Sequence, residues 1–236
     1  MVERPCTARN LAATPILDYG NPTVGFVSDE LRPRHGNDRL FLQAAHRYVA
    51  DMVRPVYTLN ERQPASRTLL KGTGSCSQRM ACLEAISRKG GVATRARALW
   101  ISSKFWSPRF PALSFLMPKS ILLIWPQFYL DAVWQDLDEL YGPAMRLAGA
   151  ANHRFSNDGE SVFDAIDHVP VDFFGKTCHG SCSPVFDLSK FVLRDGGFFE
   201  SRDEAFERLG SLHTTFRGRI FEFVFGGRNS APPALH

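Results

Sequence analysis

Apolar and polar residues alternate in two rhythms along this chain, and the switch between them falls at Gly90-Gly91. Upstream, from Asp38 to Val53, Leu40, Phe41, Ala44, Ala45, Tyr48, Val49 and Met52 recur at helical spacing and predict an amphipathic helix. Cys76 to Arg88 follows the same rhythm, with Met80, Leu83 and Ile86 on its inner side and the glycine pair ending it. Downstream the period is two. Val92, Thr94, Ala96 and Ala98 alternate with Ala93, Arg95, Arg97 and Leu99, and Trp100-Ile101 completes a strand. Ser120 to Asp131 and Val133 to Leu137 then predict a hairpin that turns at Asp131-Ala132.

The remaining stretches are less regular. Residues 1–36 carry Pro5, Pro15, Pro22 and Pro33 with little periodicity, which predicts an irregular arm packed on the body. Leu59 to Leu70 is a weaker helix interrupted by Pro64, Phe105 to Pro118 a surface loop, and Leu140 to Ala151 a further helix. Asn152 to Ser161 is a polar stretch with a turn at Asn157-Asp158-Gly159. Ser201 and Glu204 have capping-box spacing at the start of a late helix, and Gly226 to His236 reads as a frayed end. With no internal repeat, the chain reads as a single domain over 1–236. Helices followed by period-two segments point to the α+β class, helices packed on an antiparallel sheet.

Composition narrows the class. An apolar fraction of 44% in 236 residues supports a sizeable core and excludes a disordered chain. The net charge of +4 comes without a block of like charges, so nucleic acid is not an expected partner. Arg88, Lys89, Arg95 and Arg97 read as a helix end and a strand surface. The apolar run from Ile121 to Trp125 is too short to cross a bilayer, and the polar start Met1-Val2-Glu3-Arg4-Pro5 is no leader, so no membrane is expected. Five cysteines, at positions 6, 76, 82, 178 and 182, are an odd and scattered set rather than a disulfide framework, which points to a reducing cytoplasm.

The segment richest in chemistry is Gly72-Thr73-Gly74-Ser75-Cys76-Ser77-Gln78-Arg79. Glycines before a helix allow a sharp turn, and a thiol in the first helical turn faces free N–H groups and the positive end of the helix dipole. Such a setting favours the thiolate, the nucleophilic form. Cys82, six residues on in the helix body, is expected only to pack. Cys178, His179 and Cys182 include three metal-type ligands, but neighbouring side chains point apart and no second ligand pair follows, so no metal is expected. Gly72-Thr73-Gly74 lacks the Gly-Lys-Ser/Thr of a phosphate loop, and no cofactor is implied.

Gly74-Ser75-Cys76-Ser77-Gln78-Arg79, then Gly90-Gly91-Val92-Ala93-Thr94-Arg95, then Trp125-Pro126-Gln127-Phe128-Tyr129-Leu130-Asp131 with Trp134 and Asp138, resemble the transglutaminase-like branch of the papain-like cysteine peptidase superfamily. The resemblance implies a nucleophile helix packed on an antiparallel sheet. It also implies a Cys, a His on the strand that follows and an acid beyond it. The Cys corresponds to Cys76 and the acid to Asp138, with Asp136 as its competitor. The place of the His holds Leu123, so the base must come from elsewhere. His179, in a small polar loop after an apolar strand, is the first choice, ahead of His168.

The activity implied is acyl transfer through Cys76. Lincosamide condensing enzymes, which join an amine to an acyl group held as a thioester, are the nearest group. The expected partners are then a carrier protein bearing a phosphopantetheine thioester and a small-molecule amine. A cysteine hydrolase or peptidase is the alternative, and a non-catalytic binding protein on a degenerate fold is a further one.

Overall fold

The computed structural model describes residues 5–58, 60–106, 118–141, 161–167, 169, 171–174 and 186–210. In chain order these form α1 (Pro22–Leu31), α2 (Asp38–Met52), β1 (Arg54–Pro55), α3 (Ala65–Lys71), β2 (Thr73–Gly74) and α4 (Cys76–Lys89). Then come β3 (Thr94–Ser102), β4 (Ser120–Leu130), β5 (Val133–Asp136), α5 (Val162–Ala165), β6 (Val171–Asp172), β7 (Phe186–Asp187), β8 (Val192–Phe199) and α6 (Arg202–Leu209). The architecture is α+β. An antiparallel sheet ordered β5-β4-β3-β8 lies against helices gathered around α4.

Helix α4 starts and stops where local chemistry dictates. The Ser75 hydroxyl accepts from Gln78 N–H, and Gln78 Oε1 accepts from Ser75 N–H, so two otherwise unpaired donors are satisfied reciprocally. Gly90 caps the other end, and Gly91 takes a positive φ of 86° that a side chain would resist. The expected amphipathic face is replaced by burial on all sides, because every residue from Ser77 to Arg88 is enclosed. Its polar positions are therefore paired inside. Arg88, expected at a surface helix end, donates instead to Thr94 Oγ1 and to the carbonyls of Arg9, Ala12, Thr94 and Glu200.

In the sheet, β3 and β4 pair without a break from Thr94↔Phe128 to Ser102↔Ser120. The β4–β5 hairpin turns at Asp131 and Ala132, both at positive φ, as the two-residue spacing predicted. Period two sorts the side chains of β3. Ala98 lies with Gly196 close to Leu209 of α6, and a small residue there lets helix and sheet approach. Arg95 and Arg97 take the opposite face. Arg95 lies 4.5 Å from the Trp134 ring and 4.2 Å from Phe198, while Arg97 lies 3.9 Å from Phe174 and 5.0 Å from Phe198. The alternation was legible, but Arg95 is buried between rings rather than solvated.

The N-terminal stretch departs most from expectation. Residues 22–31 form α1, not an irregular arm, because Pro22 sits at the first helical position, where its missing N–H costs nothing. Asn21 caps it by accepting from Thr23 N–H, and Val24 and Val27 enter the core. The weak helix around Pro64 begins just after that residue, as α3. At α6 the Ser201 cap accepts from Glu204 N–H as its spacing predicted, whereas the Glu204 carboxylate turns to Glu200 N–H. Of the expected helix at 140–151, Leu140 ends a 3-10 turn and Tyr141 is extended, while its remaining residues, those of the polar stretch at 152–161 before Ser161 and the frayed end at 226–236 lie outside the described residues. So does most of the loop at 105–118.

Among the described residues no helix is long and apolar enough to cross a membrane.

Candidate functional site around Cys76

Two glycines with different duties deliver Cys76. Gly72 closes α3 in the left-handed region, at φ 59°. Gly74 is set by proximity instead, since a Cβ there would stand 2.7 Å from Thr68 Cγ2 and 3.3 Å from Gln78 Cβ. Between them the chain pairs with β1 in parallel, Arg54 opposite Thr73 and Pro55 opposite Gly74. A further brace comes from Gln78, whose amide nitrogen donates to the Asn60 carbonyl at 2.7 Å. Cys76 is thus the first residue of α4, as the sequence predicted, and it is half-buried.

The segment facing Cys76 is 161–164. Ser161 caps α5, its hydroxyl accepting from Phe163 N–H at 3.1 Å and from Asp164 N–H. It also accepts from Arg79 Nη1 at 3.2 Å. The Ser161 hydroxyl and the Phe163 backbone lie near enough to Cys76 to favour a charged sulfur.

Arg79 lies three residues beyond Cys76 on the same helical face and is wholly buried. It grips Asp164 bidentately, Nη1 to Oδ2 at 2.8 Å and Nη2 to Oδ1 at 2.6 Å. Nη2 also donates to the Ala50 carbonyl, and the guanidinium lies 4.7 Å from the Phe163 ring. Behind this pair, His46 of α2 is buried between Tyr141 and Phe163, with Nδ1 2.9 Å from the Tyr141 hydroxyl and Nε2 2.7 Å from the Phe163 carbonyl.

These groups set the state of the thiol. Burial pushes Cys76 above its ordinary value of 9.0, the largest effect, while the Arg79 charge and the nearby Phe163 backbone and Ser161 hydroxyl pull it down. Asp164 acts the other way and is outweighed by Arg79. The resting sulfur is therefore a thiol, which corrects the expectation that the helix terminus alone yields a thiolate. Desolvation dominates because the surrounding segments displace the water that a charged sulfur needs. Burial also keeps His46 below 6.5, so it is neutral.

The other residues singled out from the sequence fall as follows. Leu123 stands on β4 opposite Leu99 and packs partly buried against the core. Asp138 lies in the 3-10 turn after β5, where its carbonyl accepts from Tyr141 N–H. Asp136 accepts from Gln127 Nε2 at 2.8 Å, and Gln127 Oε1 accepts from Arg95 Nε at 2.6 Å. Cys82 is fully buried, its thiol pointing to the Ala65 carbonyl and pushed up to about 12 by desolvation. His168, Cys178, His179 and Cys182 lie outside the described residues. Among the described residues no group of three or more His, Cys, Asp or Glu could hold a metal ion.

Arg79, Ser161, Asp164 and His46 were not singled out from the sequence. The i,i+3 spacing of Cys76 and Arg79 was a usable signal for the first. His46, set among Leu42, Ala45 and Val49 on the apolar stripe of α2, was another. Ser161 and Asp164 reach Arg79 across more than eighty residues of chain, and no local pattern marks them.

No family of known proteins, no curated protein and no solved structure matches this chain.

Proposed function

We propose that this protein is a cysteine-dependent acyl transferase in which Cys76 takes an acyl group from a thioester and passes it to an amine. The observation that carries this reading is the setting of the Cys76 sulfur. It is half-buried at the start of a capped helix, with the Arg79 charge nearby on the same helix.

A protonated thiol suits a thioester donor better than an amide. As the Cys76 sulfur bonds to the acyl carbon, the bond to the donor thiol breaks, and the proton lost from Cys76 ends on the departing thiol. In the second half the amine bonds to the acyl carbon, the Cys76–acyl bond breaks, and the amine's proton returns to the sulfur. Neither half consumes a base, so Leu123 on β4 is compatible with turnover. A carrier-borne phosphopantetheine thioester fits this chemistry, and a histidine outside the described residues, His179 first, would add to the rate by shuttling the proton.

The test is adduct formation. Incubated with a simple alkyl thioester, the protein is expected to gain the acyl mass on the peptide containing Cys76 and to release an amide when a primary amine is added. Cys76→Ala and Cys76→Ser are expected to do neither. An acyl group found only on another cysteine, or turnover surviving in Cys76→Ala, would overturn the assignment. Release of the free acid at the same rate with or without amine would make it a hydrolase.

A binding role without catalysis is the second reading, favoured by Leu123 in the strand position that a histidine would hold and by the raised thiol. It predicts no acyl adduct at any pH between 7 and 10.

A further inference from the structure

One side-chain amide serves two segments at the start of α4. Gln78 Oε1 accepts from Ser75 N–H and so completes the cap, while Gln78 Nε2 donates to the Asn60 carbonyl at 2.7 Å. The loop 60–63 held this way has two further ties. Arg62 Nη2 donates to the Phe206 carbonyl of α6 at 2.8 Å, and Gln63 Nε2 donates to Thr68 Oγ1 of α3 at 2.9 Å. Between the tied residues Asn60 and Arg62 stands Glu61, which is only 6% exposed and whose Oε2 has no hydrogen-bond partner. A carboxyl enclosed in this way keeps its proton, because ionised it would need the water that the loop excludes. We propose that Glu61 is a pH-sensitive latch on the start of α4. Protonated, it lets the loop close on Gln78 and hold the Ser75 cap. Ionised, it is drawn to water, the loop opens, and the helical turn that carries Cys76 loosens.

The charged groups around the loop are engaged elsewhere. On α6, Arg202 attracts a Glu61 charge, but all three of its guanidinium nitrogens are committed, to Glu84, Ser77 and the Ile124 carbonyl. Asp203 accepts from Thr14 and Ile16, Glu204 pairs with Arg208, and Glu207 is exposed. On α4, Glu84 is held by Arg202, Arg79 by Asp164 and Arg88 by Thr94, and Lys89 is exposed. On α3, Lys71 donates to Gln63 Oε1 and Arg67 is exposed. Ionised Glu61 thus has no cation ready to receive it inside the closed loop.

The sign follows from which state binds the proton. Burial raises Glu61 from 4.5 to about 8 in the closed loop, and the open loop returns it to its ordinary value. Opening is therefore rarest below 4.5, grows about tenfold per pH unit above that, and levels off near 8. Cys76 is raised above 9.0, so its own ionisation falls outside this window.

The latch is tested on the full protein by amide hydrogen exchange at pH 5.5 and 7.5. Peptides 60–66, 75–80 and 94–102 are read by mass spectrometry, each normalised to its own rate in the unfolded chain. The first reports the loop, and the second includes Arg79 N–H, which donates to the Ser75 carbonyl at 2.9 Å. The third reports β3 and, with it, global unfolding. In the wild type the opening of 60–66 is expected to rise about a hundredfold between the two pH values, with 75–80 following and 94–102 unchanged. Glu61→Gln, neutral throughout, is expected to show no rise.

A loop that opens equally at both pH values, or a rise that persists in Glu61→Gln, overturns the latch. A rise in 60–66 that leaves 75–80 untouched overturns its link to Cys76. A rise in all three peptides together means global unfolding and overturns it as well. If Glu61→Gln does not fold, the three wild-type profiles decide alone. The exchange experiment involves no acyl donor, so the latch and the transferase reading stand or fall separately.

Discussion

Arg202, the first residue of α6, donates its Nε–H to Glu84 in the middle of α4, and both side chains are fully enclosed. Its Nη1 reaches Ser77 Oγ at 3.0 Å and its Nη2 the Ile124 carbonyl at 3.1 Å. One guanidinium thus ties the residue after Cys76, the body of α4 and strand β4. Enclosed charge is tolerated here because each partner neutralises the other; removing one leaves the other stranded.

Glu84→Leu is therefore expected to cost about 3–5 kcal/mol in urea denaturation. The double variant Glu84→Leu/Arg202→Met is expected to recover most of that loss, because an apolar pair of similar volume carries no stranded charge. Equal losses in the single and double variants would show that packing, not charge pairing, dominates at this point.

At Gly74 the argument is steric. A methyl group there meets Thr68 Cγ2 at 2.7 Å, and Gly74 precedes the Ser75 cap that starts α4. Gly74→Ala is expected to destabilise the protein by about 1–3 kcal/mol. Thr68→Ser removes the clashing methyl but keeps the hydroxyl that accepts from Gln63 Nε2, so it should recover much of the loss in the Gly74→Ala background. Additivity of the two changes would refute the contact.

What the sequence disclosed and what it withheld divide along a physical line. The Cys76 helix, its start at Cys76, the strand after Gly91 and the Asp131-Ala132 turn are set by neighbours in sequence, and all were legible. The charged residues were misplaced because their partners are distant. Arg88 looks like a surface helix end until the carbonyls of Arg9, Ala12 and Glu200 surround it. Arg95 looks like an exposed strand position until Trp134 and Phe198 cover it. Pro22 misled in the other direction, since proline marks a helix start as readily as a break. At the site, Cys76 was legible from its glycines, but Ser161 and Asp164, which hold Arg79 beside it, come from beyond β5 in the chain.

His46 offers a check on protonation at low pH. The Phe163 carbonyl can only accept, so Nε2 carries the proton and Nδ1 accepts from the Tyr141 hydroxyl. Burial keeps the folded value below 6.5, whereas the unfolded chain binds a proton there. The contribution is present above the unfolded value and is lost as pH falls through and below 6.5. The ring should appear in nitrogen NMR as the neutral Nε2–H tautomer at pH 6. A signal that titrates near 6.5 in the folded protein would contradict the enclosure.

Cys82 is the internal contrast to Cys76. It is fully buried in the same helix, and its thiol is pushed up to about 12. Cys82→Ala is expected to leave acyl-adduct formation unchanged and to lower stability by about 1 kcal/mol, the scale of a small cavity. Loss of adduct with the fold intact would move the chemistry away from the helix terminus.

The last prediction concerns Glu61, in the loop that Gln78 braces through Asn60. Its side chain is buried, and Oε2 has no hydrogen-bond partner. Desolvation raises its value from 4.5 to about 8, against a smaller opposing pull from Arg202. The folded protein therefore keeps a proton on Glu61 through neutral pH, while the unfolded chain releases it above about 4.5. Because the folded state binds the extra proton, this contribution to stability is full below 4.5, shrinks as pH rises and is gone above about 8. The loss across that window amounts to about 5 kcal/mol at most. Glu61→Gln, neutral at every pH, is expected to flatten the dependence and to be the more stable form at pH 9. Urea midpoints of the two proteins at pH 5 and pH 9 decide the matter. A wild type no less stable at pH 9 than at pH 5, relative to Glu61→Gln, would mean that the carboxyl is already ionised in the fold and has a partner there.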